Sequence, residues 1–230
     1  MNRVSVSVII PAIQEARGIE RAVRSAIAGG AVETIVVDGG SRDETPERAT
    51  AAGALVLRSP AGRARQQNVG AAAAKGDVLL FLHADNHLAP TAIDQIAAHF
   101  AAAPERRWGA LRQRIEDDAA SYRLLEWGNA ARVRWRGLPF GDQAIFVCRE
   151  WFGELGGFPD EPLMEDLILA SRLRRLSRPV LLDGPVFVDA RRWRARGVWR
   201  QTWLNLRLQW RFARGASPTE LATAYRRHDA

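Results

Sequence analysis

Glu15, Asp38 and Asp85 each stand at or just beyond the end of a short apolar run. Val6-Ser7-Val8-Ile9-Ile10 leads through Pro11 and Ala12 to Glu15, Thr34-Ile35-Val36-Val37 ends at Asp38, and Val78-Leu79-Leu80-Phe81-Leu82 is followed by His83-Ala84-Asp85. A row of carboxylates suits a cation, ribose hydroxyls or a sugar, and disfavours a bare anion. Asp85 is the candidate metal ligand, because a carboxylate there can hold a hard divalent ion that also takes diphosphate oxygens. Its plainer reading is a helix cap or turn residue. Asp38 precedes Gly39-Gly40, which let the backbone turn sharply and let a ring lie close; turn chemistry alone is the alternative. Glu165-Asp166 offers a general base, a role that contributes about 10²–10⁴ in rate, although carboxylates also favour helix starts for electrostatic reasons alone. Gly141-Asp142-Gln143 reads equally as polar contacts to a sugar or as a plain turn. Arg63, Arg65 and Asn68 lie near a helix N-terminus suited to phosphate, or are solvated surface.

The elements that position these residues follow from periodicity. Apolar runs at 4–10, 34–38, 54–57 and 78–82 read as strands. Between them, helical spacing covers 15–28, a Thr45-Pro46 start predicts a second helix, and 63–75 and 90–102 are helix-favouring. Such alternation predicts parallel strands joined by right-handed crossovers, and open sheets of this kind bind ligands at the carboxyl edge. The second half is less regular. Strands are expected at 108–115, 143–147 and, as one or two pieces, 180–188; helices at 119–135, 151–155, 167–176, 198–213 and 219–227.

The chain has 230 residues with 47% hydrophobic and 26% charged content, enough for a substantial core. Its net charge is +7, and Lys75 is the only lysine. Base composition of the genome explains an arginine excess as well as an anionic partner does. Cys148, the single cysteine, excludes an internal disulfide and reads as a packed, inert thiol. Met1-Asn2-Arg3 runs straight into the first strand without a leader pattern, and no apolar stretch nears the roughly 20 residues of a spanning helix. A cytoplasmic protein is the expectation. No G-x-G-x-x-G follows the first strand, which weakens a nicotinamide-cofactor reading.

Together these segments resemble family-2 glycosyltransferases with the GT-A fold. Ser7 to Glu15 is similar to the family's V-I-I-P-x-x-N-E opening, with Gln14 at the Asn position; Val37 to Thr45 is similar to V-D-D-G-S-x-D-x-T, with Gly39 for the second Asp. The resemblance implies that Pro11, Ala12, Glu15, Asp38 and Gly40 hold the nucleotide. Leu82-His83-Ala84-Asp85 sits at the D-x-D motif, which gives Asp85 the metal and puts His83 where an Asp usually meets ribose. Ala64-Arg65-Gln66-Gln67-Asn68-Val69-Gly70 resembles a stretched A-R-N-x-G and assigns Arg65 to the nucleotide sugar. Met164-Glu165-Asp166 resembles the E-D motif, making Asp166 the candidate base and Glu165 its neighbour. Asp189-Ala190-Arg191-Arg192-Trp193 matches the Q-x-x-R-W signature of processive members only in part, which argues against polymer synthesis. The resemblance covers residues 4 to about 193 and is closest to short soluble members labelled as radical-SAM or selenodomain-associated.

The fold expected is α/β: a GT-A, Rossmann-like, mostly parallel sheet flanked by helices, with a C-terminal helical region. One domain spans 1–230, with a nucleotide-sugar half at 1–115, an acceptor half with the catalytic loop at 116–197, and amphipathic helices at 198–230. In the last part, Trp199, Trp203, Leu206, Trp210 and Ala213 share one face, with Arg200, Arg207, Arg211 and Arg214 on another. The stripe either packs onto the domain, leaving the arginines solvated, or lies in the interface of an anionic membrane, which would make the protein peripheral on the inner membrane face.

The activity this implies is inverting transfer from a nucleotide-diphosphate sugar, UDP favoured, to a hydroxyl of a small or lipid-linked acceptor, with Mn²⁺ or Mg²⁺. Gly141, Asp142 and Gln143 would contact the sugar. The rival enzyme is a nucleotidyltransferase acting on a sugar phosphate. The non-enzyme rival is a basic module binding nucleic acid or membrane, but no nucleic-acid motif is present, and no nucleic-acid partner is expected.

Overall fold

The computed structural model describes residues 4–103 and 105–227; Met1–Arg3, read as a leaderless start, lie outside them. In chain order the elements are β1 Val6–Ala12, α1 Ile19–Ala28, β2 Glu33–Asp38, α2 Thr45–Ala51, β3 Leu55–Arg58, α3 Arg63–Ala73, β4 Val78–Phe81, β5 Asn86–Leu88 and α4 Ala92–Ala102. Then follow β6 Trp108–Ile115, α5 Ala120–Arg136, β7 Phe146–Cys148, α6 Arg149–Glu154, α7 Glu165–Leu176, β8 Val180–Val188, α8 Arg191–Arg196, α9 Val198–Ala213 and α10 Pro218–Arg227. A single 3-10 turn, Gly141–Gln143, stands where the strand of 143–147 was expected to begin.

All eight strands join one sheet in the order β3-β2-β1-β4-β7-β6-β8-β5. The first four run parallel, as the strand–helix alternation predicts. Beyond β4 the sheet turns mixed: β7 is antiparallel to β4 and β6, β6 and β8 are parallel, and β5 closes the edge antiparallel to β8. Periodicity locates strands but carries no sign for their direction.

Side chains alternate across the pleat and give the sheet two buried faces. Val6, Val8 and Ile10 pack with Ile19, Val23 and Ala26 of α1 and with Ile93 and Ile96 of α4. Ile9, Ile35, Val37, Leu79 and Phe81 face Ala64 and Ala71 of α3 and Leu169 and Leu173 of α7. The close approach of α3 requires Gly70, where a Cβ would lie 2.5 Å from Ile9 Cγ2.

Two boundaries move for a reason that matters to the site. β1 reaches Ala12 rather than stopping at residue 10, and α1 starts at Ile19 rather than Glu15. Between them Glu15 forms a turn, its carbonyl accepting from the amides of Gly18 and Ile19 at 3.0 Å. Glu15 therefore sits on the rim, not in a helix.

Candidate active site

The carboxyl ends of β1, β2 and β4 form a rim braced from below. Gln66, almost wholly buried, donates from Nε2 to the carbonyls of Ala12 (2.8 Å) and Val37 (2.7 Å), tying the ends of β1 and β2. Above it the two N-terminal loops are laced together. The amides of Arg42 and Asp43 donate to Gln14 Oε1, the Gln14 amide donates to Ser41 Oγ, and the Glu15 amide donates to Thr45 Oγ1 at 2.9 Å. Gln14 thus holds the loop after β2, and does so with φ at 55°.

A groove with two lobes opens over this rim. One lobe, about 310 Å³, is lined by Pro11, Ala12, Ile13, Glu15, Gly62, Gln66 and Pro162. The other, about 200 Å³, is lined by Asp142, Asp166, Asp189 and Trp193, and by Gln201, Asn205, Leu208 and Tyr225 of the C-terminal helices. Arg63, His83, Asp85, Leu163 and Glu165 line both, so the lobes meet at these residues.

Charge is concentrated at that junction. Asp85 Oδ2 accepts from Arg191 Nη2 at 2.9 Å, and the same nitrogen reaches both oxygens of Glu15 at 2.9 and 3.0 Å. Burial opposes the charge of Arg191, but the bond to Glu15 and the charges of Asp85 and Glu15 outweigh it and raise its pKa. Glu165 is 3% exposed and pairs with Arg63 at 3.4 Å. Burial pushes its carboxyl pKa up, Arg63 pulls it back, and neighbouring Asp166 adds to the rise. Asp166 is fixed by two backbone amides, Gly141 to Oδ2 and Leu167 to Oδ1, each at 2.7 Å. Met164, at φ 67°, delivers this pair from the loop into the first turn of α7. Strain of that kind costs on the order of 1–3 kcal/mol and persists where surroundings enforce it.

The structure brings Pro11, Ala12, Glu15, His83, Asp85, Asp142, Glu165 and Asp166 to one groove. Gly141 adjoins it: a Cβ there would stand 2.9 Å from His83 Nε2 and 3.3 Å from Asp166 Oδ2. Other candidates stand elsewhere. Asp38 is buried and accepts from the Gly40 and Ser41 amides of its own turn, and neither it nor Gly40 lines a lobe. Arg65 Nε instead grips Asp160 at 2.7 and 2.9 Å; Arg63, two residues earlier, takes the place in the groove. Asn68 exchanges two hydrogen bonds with the backbone of Phe158, a structural latch. Gln143 is buried and accepts from Arg132 at 2.7 Å. Arg191 and Gln66 were missed, the first hidden by distance in sequence, the second by an unremarkable helix position.

Among the described residues no three His, Cys, Asp or Glu side chains converge as a metal cluster. One carboxylate at Asp85, with Glu15 linked to it through Arg191, fits a cation that takes most of its ligands from phosphate and water.

Against known proteins, the profile of Glycosyl transferase family 2 matches residues 7–152, more than half of the chain. No curated protein matches. Among solved structures, S. aureus TarS (residues 1–349) superposes with a TM-score of 0.63 at 17% identity, covering 81% of this chain and 61% of TarS. TarS has also been crystallised with UDP-GlcNAc. Glucosyl-3-phosphoglycerate synthase from Mycobacterium tuberculosis, in complex with Mg²⁺ and UDP, superposes with a TM-score of 0.57 at 21% identity, covering 82% and 69%. The chain thus spans about three fifths of the TarS segment, and at these identities the likeness establishes the fold. The protein belongs to glycosyl transferase family 2, and its mixed sheet is GT-A-like.

Proposed function

We propose that the protein is an inverting transferase that moves a sugar from a nucleotide-diphosphate donor, UDP favoured, to an acceptor hydroxyl, and that it works in the cytoplasm. The observation that carries this reading is the shared boundary of the two lobes. His83, Asp85, Arg63 and Glu165 line both, whereas Asp166 lines only the lobe walled by the C-terminal helices. A donor in the first lobe, against Pro11, Ala12 and Glu15, presents its anomeric carbon at the junction. An acceptor in the second lobe attacks from the opposite face.

In this scheme the attacking hydroxyl gives its proton to Asp166. Its oxygen forms the new bond to the anomeric carbon, and the bond to the diphosphate breaks with the electron pair leaving on phosphate oxygen. One in-line displacement inverts the anomeric centre. The amides of Gly141 and Leu167 hold the Asp166 carboxylate in place, and Glu165, locked on Arg63, fixes the adjacent backbone. Arg63 and Arg191 are the protein cations beside the departing diphosphate. Mn²⁺ or Mg²⁺, held by Asp85, would offset charge on the leaving group. Asp38 and Gly40 shape the turn beside the base, Asp142 offers its carboxyl to the acceptor lobe, and Arg65 with Gln143 supports the loops. The acceptor is a small or lipid-linked hydroxyl compound.

Incubation with UDP-sugars and Mn²⁺ should release UDP. Asp166→Asn should lower turnover at least about 100-fold while the UDP-induced rise in melting temperature stays as in the wild type. Equal turnover in the variant removes Asp166 from the chemistry, and pyrophosphate as product replaces the reading by nucleotidyl transfer.

A further inference from the structure

Helix α9 presents two opposite faces. Gln201, Asn205, Leu208 and Gln209 line the acceptor lobe, and Gln201 and Leu208 are buried. At 100° per residue these four cluster on one side of the helix. Trp199, Trp203, Leu206 and Trp210 fall on the other, and are 62%, 65%, 56% and 56% exposed. The stripe does not pack onto the domain: the helix is anchored by its polar, cavity-lining side and turns its tryptophans outward. Ala213, expected on the same stripe, is exposed too. A contiguous apolar surface of this kind on a soluble domain marks an interaction site.

Charge identifies the occupant. Arg200, Arg207 and Arg214 are exposed along the flank of the stripe, and from Ala190 to Thr219 the sequence holds no acidic residue. The Arg214 guanidinium lies 4.0 Å from the Trp210 ring centre, and that of Arg207 5.7 Å from Trp203, so cation and indole are presented together. A second stripe repeats the pattern on α5. Leu124, Trp127 and Trp135 are 54%, 62% and 72% exposed, with Arg134 and Arg136 exposed beside them. The inner side of α5 is tied to the start of α9 through a cluster of Ile115, Tyr122, Leu125, Ala190, Trp193 and Val198. Among the described residues no helix is long and apolar enough to cross a membrane.

We propose that the tryptophan face of α9, with the α5 stripe as a second contact, docks on an anionic lipid bilayer. Indole rings suit the headgroup level. Arginines are drawn to an anionic surface, and an amphipathic helix that lies in the interface uses both. A second copy of the chain would set arginine flank against arginine flank. The consequence for chemistry rests on the sugar-transfer reading: the helix that floats on the bilayer is also a wall of the acceptor lobe, so the acceptor hydroxyl belongs to a lipid or lipid-linked molecule.

The test is co-sedimentation of the full chain with phosphatidylcholine vesicles, with and without about a third phosphatidylglycerol, at low and high salt. Binding is expected only to anionic vesicles and only at low salt. The Trp199→Ser/Trp203→Ser/Trp210→Ser triple variant and Arg200→Glu/Arg207→Glu/Arg214→Glu should each bind more than tenfold less, with unchanged melting temperature. Absence of wild-type binding, binding by both variants at the wild-type level, or a dimer that the tryptophan variant dissolves would overturn the proposal. So would duplex DNA that competes with vesicles while losing nothing in the tryptophan variant. UDP release in vesicle-free solution is scored separately. If it is present without vesicle binding, only the docking surface fails; if it is missing while vesicles bind, only the transfer reading fails.

Discussion

Asp142 is a carboxyl that burial works against. Among the described residues its Oδ1 has no hydrogen-bond partner, and burial raises its pKa although the nearby charge of Arg132 opposes the rise. Burial likewise lowers Arg132 to about 10; its guanidinium donates to Gln143 Oε1, while Asp142 lines the acceptor lobe. The sign for stability follows directly. The folded protein holds the Asp142 proton more tightly than the unfolded chain, so this stabilisation is complete below the ordinary value of 3.8 and is lost as pH rises through the elevated folded pKa. Asp142→Asn removes that loss. Urea midpoints should fall less between about pH 4 and pH 7 in the variant than in the wild type, and at pH 7 the variant should be at least as stable; a steeper fall in the variant contradicts the argument. At this scale the sequence was informative for residues close after β1 and β4, and not at Asp38, which ends β2 but accepts from the amides of its own turn. Glu15, His83 and Asp85 reach the groove because the strands before them end at its rim. It misled at Arg65, because two arginines two positions apart on α3 point in different directions, and motif spacing favoured the one that meets Asp160. Arg191 bears no local mark: its partners are 106 and 176 residues away.

Strands and helices set the rim, and α3 lies too close to the sheet for a side chain at Gly70. A side chain at Gly70 would press on Ile9 and Val37 together, and Gln66, one turn earlier on the same helix, bridges β1 and β2. Gly70→Val should therefore destabilise by about 1–3 kcal/mol and lower the melting temperature by several degrees. It should also weaken UDP binding, because the rim moves with the helix. Calorimetry with and without UDP measures both, and an unchanged melting point would mean that α3 yields freely. Apolar periodicity located the long elements of the first half well. It missed β5, whose three residues Asn86-His87-Leu88 are too few to show alternation, and α8, whose arginines carry no apolar phase. The stretch 180–188 proved to be one strand, with an irregularity in its register against β6 between Leu111 and Gln113.

The nucleotide-side and acceptor-side halves read from the sequence share a single sheet, since β6 pairs with both β7 and β8. Arg191 joins them a second time, clamping α8 onto Glu15 and Asp85. A cation at Asp85 has to compete with this guanidinium. Arg191→Met should therefore bind Mn²⁺ alone about two- to fivefold more tightly, the equivalent of a partly exposed ion pair of up to about 1 kcal/mol. Titration calorimetry without nucleotide reads that change, and weaker binding would show that Arg191 organises the carboxylates rather than shielding them. Six of the eight tryptophans divide sharply by position in the molecule, with Trp151 and Trp193 half-buried between them. Trp108 is fully enclosed, its indole donating to the Ser177 carbonyl at 2.9 Å, while Trp127, Trp135, Trp199, Trp203 and Trp210 stand in solvent. Intrinsic emission therefore has an outer and an inner extreme in one spectrum. Iodide extinguishes the red, outer component and spares the blue, inner one, so a single cuvette can follow the surface and the core of the same molecule separately.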